Sequence, residues 1–120
     1  MSVRIINGKV YKNGTFSEEE LVLKEGKIIS AEDGNVDEIY DAKGNYVFPG
    51  AIDTHAHLND PGYEWREDYE HGTAAAALGG YTTIVDMPLQ NEPAMVNAEA
   101  FDFKLKKVDP NAYCDYCFWG

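Results

Sequence analysis

The spacing of turn residues changes at Pro49-Gly50, and this change constrains the fold more than any other feature of the chain. Before it, short apolar pieces alternate with glycine-containing turns every few residues. Val3–Ile6 closes at Asn7-Gly8, and Lys9–Tyr11 runs to Asn13-Gly14. Both Asn-Gly pairs suit tight hairpin turns, because both residue types tolerate positive φ. Leu21–Leu23 meets Glu25-Gly26 and returns as Lys27–Ile29, a second hairpin. Asp33-Gly34 and Lys43-Gly44-Asn45 mark further turns, flanking Ile39-Tyr40 and Tyr46–Phe48. Residues 1–48 therefore read as a small antiparallel β layer of short strands.

After Pro49-Gly50 the apolar runs are separated by helix-length segments. A strand over 51–57 is followed by a polar loop from Asn59 to Glu67. The alanine-rich run Asp68–Leu78 has acids in its first turn and Gly79-Gly80 as a stop, which predicts a helix held close against a sheet. A β-branched strand, Thr82–Met87, ends at Pro88. A second helix is expected from about Ala98, with Asn97 as N-cap and Phe101, Leu105 and Val108 on one apolar face. Pro110 ends it, and Tyr113–Trp119 begins a third strand. The order β-α-β-α-β implies parallel strands, with ligand sites at their carboxyl ends.

One such end carries Asp53-Thr54-His55-Ala56-His57. Residues two apart on a strand project to one side, so His55 and His57 are expected to point together, with Asp53 on the same face. Two converging imidazoles make half of a site for a first-row divalent metal, and an open position on such a metal activates water. The plain alternative is a pair of histidines in a polar loop. His71, in the first helix, reads as a solvent-facing or capping residue and not a ligand. Cys114 and Cys117 are three apart on a predicted strand and face opposite ways, so they read as buried or half-buried thiols of a reducing cytosol.

Composition narrows the partners. The formal charge is −11 and the pI about 4.5, a balance that repels phosphate backbones and anionic membrane surfaces. Neither a nucleic acid nor a membrane is expected as a partner. No run reaches membrane-span length and no signal-peptide core precedes the first strand, so a cytoplasmic location is expected and Asn13-Gly14-Thr15 reads as a turn. No phosphate-cradling glycine loop or internal repeat is present.

The stretch Val47–Leu58 resembles the first barrel strand of the cyclic amidohydrolases. Within that superfamily the pattern is most similar to allantoinase, through His57-Leu58-Asn59-Asp60-Pro61-Gly62, Glu64-Trp65, Gly72-Thr73 and Gly79–Leu89, with Phe118-Trp119-Gly120 fitting as well. The resemblance implies an α/β fold. Residues 1–48 would belong to a β-sandwich, and 49–120 would open a (β/α)8 TIM-type barrel with its first β-α-β-α-β units. It implies a site with two divalent metals, zinc being expected, and His55 and His57 as ligands of the more buried one. A carbamylated lysine, two further histidines and a proton-shuttling aspartate would come from later strands. Water activated there would attack a ring amide carbonyl, opening allantoin to allantoate. No catalytic residue of that set is expected within this chain.

Dihydroorotases usually place an arginine two positions after the second histidine, where this chain has Asn59. Asn59 can hydrogen-bond a neutral ureide but cannot form a bidentate ion pair with a carboxylate. Asn59 and Asn91 are the candidate substrate contacts, with turn formation as the alternative for each. Hydantoinase (dihydropyrimidinase) and dihydroorotase remain rival activities. The chain reads as an N-terminal piece, inactive alone, whose bare strand edges and exposed Ile84, Phe118 or Trp119 would drive it to a homo-oligomer.

Overall fold

The computed structural model describes residues 1–31 and 35–120; the turn expected at Asp33-Gly34 lies outside them. The chain divides into two compact units, Met1–Pro49 and Gly50–Gly120.

Among the described residues the first unit holds seven short strands in two sheets: β1 (Ser2–Ile6), β2 (Lys9–Lys12), β3 (Thr15–Glu18), β4 (Leu21–Lys24), β5 (Lys27–Ile29), β6 (Glu38–Asp41) and β7 (Tyr46–Val47). One sheet has the order β5-β4-β1-β6 and the other β3-β2-β7. Two of the expected hairpins form: Asn13-Gly14 joins β2 to β3, and Glu25-Gly26 joins β4 to β5, all four residues having positive φ. Asn7-Gly8 behaves differently from the expectation. Asn7 is left-handed (φ 55°), yet β1 and β2 do not pair, and the turn hands the chain from one sheet to the other. Lys43-Gly44 makes a second crossing in the same direction, from β6 to β7, and the two crossings are bonded together through Gly44 N to Asn7 O (2.7 Å) and Lys9 N to Asn45 O (2.9 Å). Each sheet also has one parallel pair, β1 with β6 and β2 with β7, so the layer is mixed. Turn chemistry alone fixes the local reversal; which strand receives the chain next is a long-range matter.

The second unit is a parallel sheet of β8 (Ala51–Ala56), β9 (Tyr81–Asp86) and β10 (Asp115–Phe118), in the order β10-β9-β8, with helices α1 (Tyr69–Leu78) and α2 (Ala98–Val108) between successive strands. Both helices start as the sequence predicts. Asp68 caps α1 by accepting from His71 N (2.7 Å), and Asn97 caps α2 by accepting from Ala100 N (2.9 Å). Gly72 lets α1 lie against the segment that follows β8, since a Cβ there would come within 2.4 Å of a Leu58 methyl. Thr73 is fully buried; its hydroxyl donates to Tyr69 O and accepts from Tyr113 N (3.0 Å), tying α1 to the segment that leads into β10. The core beneath is Leu58, Tyr69, Ile84 and Val108, with Phe118, Tyr116 and Cys114 packed on it.

Three expectations are corrected here. The buried stripe of α2 is Ala100, Lys104 and Val108, whereas Phe101 is 40% exposed and Leu105 half-buried. The helix turns its lysine inward because Asp86 waits there. Ile84 is only 2% exposed, because the helices cover its face; Trp119, at 50%, does lie open. Cys114 is half-buried as read, but Cys117 is exposed.

Candidate functional site

β8 does not run evenly beside β9. Asp53 pairs with Ile84 and Ala56 with Asp86, so three steps on β8 match two on β9, and Thr54 and His55 share the place opposite Val85. This is a β-bulge, and it breaks the alternation on which the sequence reading relied. Paired residues of neighbouring strands face the same side, which puts Asp53 with Ile84, on the helix-covered side of the sheet. Asp53 therefore does not share the histidine face. Its carboxylate serves the backbone, accepting from His55 N at 3.0 Å.

The histidines themselves come together at the carboxyl end of β8. The ring centroids of His55 and His57 are 4.9 Å apart with planes at 76°, and both side chains are exposed. His57 Nδ1 lies 2.9 Å from Met87 O, just beyond β9. A carbonyl can only accept, so Nδ1 carries a proton, and in its neutral form the ring presents the Nε2 lone pair. An imidazole fixed by a carbonyl at one nitrogen and open at the other is the donor that zinc and similar ions take. Among the described residues no group of three or more His, Cys, Asp or Glu side chains converges on one point. The donor set here is the pair.

An open cleft of ≈ 550 Å³ lies beside the pair, lined by His57, Asn59, Arg66, Met87, Leu89 and Gln90 among others. Asn59 is thus brought to the histidine site, held by its backbone through Glu67 O (3.0 Å) and Tyr63 N (2.9 Å). Asn91 is not. It is 7% exposed, its Oδ1 accepts from Lys104 Nζ (2.9 Å) and its Nδ2 donates to Gln90 O (2.7 Å). Arg66, which the sequence reading passed over, lines the cleft, bonds the Gln90 side chain and sits 6.0 Å from the Trp65 ring centroid. The available signal was that Arg66 is the sole cation of the 59–67 loop. His71 stands apart as expected, exposed and paired with Asp68, whose carboxylate raises the imidazole pKa by hydrogen bond and charge.

Behind the cleft lies a second feature that the sequence reading missed. Asp86, fully buried at the end of β9, takes Lys104 Nζ at 2.8 Å and Tyr69 OH at 3.0 Å on Oδ2, and Leu58 N at 2.9 Å on Oδ1. Lys104 Nζ also donates to Asp60 O (2.6 Å) and stands about equally over the Tyr69 and Phe118 rings, 5.1 and 5.0 Å from their centroids. Burial lowers the pKa of Lys104 while Asp86 opposes that shift, and burial with the Asp86 charge raises that of Tyr69. The network anchors both ends of the loop that carries Asn59.

Residues 46–118 match the amidohydrolase family. A dihydroorotase of Staphylococcus aureus is 42% identical over 113 residues, covering 90% of this chain and 26% of that protein. An allantoinase of Rubrobacter xylanophilus is 43% identical over 88 residues, 73% of this chain and 19% of that one. Among solved structures, an L-hydantoinase (dihydropyrimidinase) of Arthrobacter aurescens matches with a TM-score of 0.87 at 28% identity, over 98% of this chain and 27% of its own. The chain spans about a quarter of the length of the dihydroorotase and the hydantoinase. Its parallel unit corresponds to the opening β-α-β-α-β of a TIM-type barrel. The chain belongs to the amidohydrolase family, a family of hydrolases.

Proposed function

We propose that this chain carries the first two metal-ligating side chains and a substrate-facing loop of a cyclic-amide hydrolase of the allantoinase type. The observation that supports this most is the imidazole pair at the end of β8, with His57 held in the tautomer that leaves Nε2 open. A divalent cation bound there, zinc by expectation and one of two in a complete site, would supply a Lewis acid and an activated water. His55 and His57 would hold it through ring nitrogens. Asn59, in the same cleft, offers an amide donor and acceptor to a neutral ureide ring. The lysine carbamate and the proton-shuttling aspartate of the resemblance have no counterpart assigned in this chain, so we propose that it does not catalyse by itself. A second copy is the partner we propose for β8 and β10, the edge strands of the parallel sheet.

A dihydroorotate-type substrate is the second reading. It is favoured by the 42% identity to a dihydroorotase and by Arg66, whose guanidinium gives the cleft a partner for a ring carboxylate. The deciding experiment measures ring opening of allantoin, dihydroorotate and hydantoin by a longer enzyme containing this sequence, together with zinc per chain. Turnover of allantoin that falls in Asn59→Ala supports the first reading. Turnover of dihydroorotate that falls in Arg66→Gln supports the second. Zinc content unchanged by His55→Ala with His57→Ala would remove the metal assignment from both.

A further inference from the structure

The bulge in β8 leaves backbone groups of Thr54 and His55 that the ladder with β9 does not take up, because two residues stand where β9 offers only Val85. Both groups are nevertheless satisfied, and by side chains. Asp53 Oδ1 accepts from His55 N at 3.0 Å, and Trp119 Nε1 donates to Thr54 O at 3.0 Å. These two bonds hold the peptide between Thr54 and His55 from its two neighbouring polar atoms. That peptide sets the direction in which the His55 side chain leaves the strand. His57 is fixed independently, through Met87 O.

We propose that Asp53 and Trp119 are positioning residues that lock the bulge and so aim His55 at His57. The proposal deepens the metal reading above and rests on it for its consequence, though not for the lock itself. Asp53 acts as a hydrogen-bond acceptor in this role, on the sheet side away from the histidines, and its charge is not required. Trp119 acts as a donor reaching back from beyond β10 to β8, across the intervening strand β9. The lock spans the three strands, so the imidazole pair is fully formed only when β10 is in place.

The test uses the 120-residue chain, with Zn²⁺ as the probe. Three variants separate the roles: Trp119→Phe keeps an aromatic ring but removes the donor, Asp53→Ala removes the acceptor, and Asp53→Asn keeps an acceptor without the charge. Amide hydrogen exchange at His55 and nuclear Overhauser contacts between the two imidazoles are followed without metal, and Zn²⁺ affinity by titration. The expected result is faster exchange and weakened ring contacts in Trp119→Phe and Asp53→Ala, with Zn²⁺ affinity down about tenfold or more, the scale seen when a ligand loses its supporting partner. Asp53→Asn is expected to match the parent. The proposal is overturned if Trp119→Phe and Asp53→Ala leave exchange, ring contacts and affinity unchanged. It is equally overturned if Asp53→Asn loses as much affinity as Asp53→Ala, which would make Asp53 a charge partner or ligand. If Trp119→Phe does not fold, the Asp53 pair decides alone. If the parent does not bind Zn²⁺, exchange at His55 and the contacts between the two rings still confirm or overturn the lock by themselves.

Discussion

Asp86 and His57 stand at the carboxyl ends of adjacent strands, yet the chain treats them in opposite ways. Asp86 is 0% exposed, and both its oxygens are engaged by Lys104, Tyr69 and Leu58 N. His57 is exposed, and one ring nitrogen is engaged while the other has no protein partner among the described residues. The first arrangement is closed: charge, hydrogen bonds and packing are completed within the unit. The second is left open, with a fixed donor and an adjoining cleft. The difference teaches where stability and function are separated in this molecule. A buried ion pair tolerates no missing member, because the survivor is left charged in a low-dielectric interior. An exposed imidazole pair tolerates loss easily, since water replaces whatever is removed.

The comparison is broken most severely at Lys104. Lys104→Met should cost about 3–5 kcal/mol in urea unfolding, as Asp86 is left buried without its counter-charge. Combining it with Asp86→Asn should recover part of that loss; a double variant as unstable as the sum of the singles would deny the coupling. A smaller effect is expected at the entrance to α1. Asp68→Ala removes the cap and should cost about 1 kcal/mol, measured the same way. The pH dependence there has a defined sign. The Asp68 pKa is lowered, chiefly by the His71 N–H, so its stabilisation is present above the ordinary carboxylate range and lost as pH falls through the lowered value. The His71 pKa is raised by Asp68, so its share is complete below the unfolded imidazole value and lost as pH rises through the raised one. Asp68→Asn should remove both flanks from the pH–stability profile.

Glu64 and Lys107 form a part-exposed pair, with side chains 35% and 39% exposed. The Lys107 hydrogen bond lowers the Glu64 pKa to about 2. Glu64→Gln should cost less than about 1 kcal/mol, and that increment should fade in the parent only as the pH approaches this low value. The smallest change in stability is expected at the open pair. His55→Ala should stay within about 0.5 kcal/mol of the parent in the absence of metal. A loss comparable to that of Lys104→Met would show that the histidines are structural and would erase the contrast.

Much of the second unit could be read from local chemistry. Asp68, Asn97 and Gly79 mark helix ends through bonds made within one turn, and β-branched runs mark the strands. The pairing of His55 with His57 was legible for the same reason, since residues so near in sequence have few ways to separate. What was not legible depends on partners far along the chain. The inward turn of Lys104 is announced by nothing in α2, because its partner Asp86 lies 18 residues earlier on another element. Asn91 looked available for a substrate because Lys104 was not expected to claim it. The bulge that removes Asp53 from the histidine face is a property of the β8–β9 register, and no pattern within Ala51–Ala56 carries it. Likewise Asn7-Gly8 has the chemistry of a hairpin and is used to change sheets.

The bond from Trp119 to Thr54 has an optical consequence. The chain contains two tryptophans, and the other, Trp65, is 82% exposed beside Arg66. Trp65→Phe would leave a single indole whose N–H is spent on the strand that bears the histidines. Its emission wavelength would then follow the state of that strand directly. Unfolding, docking of β10 and any rearrangement on cation binding could each be timed from one intrinsic fluorophore, with no label attached.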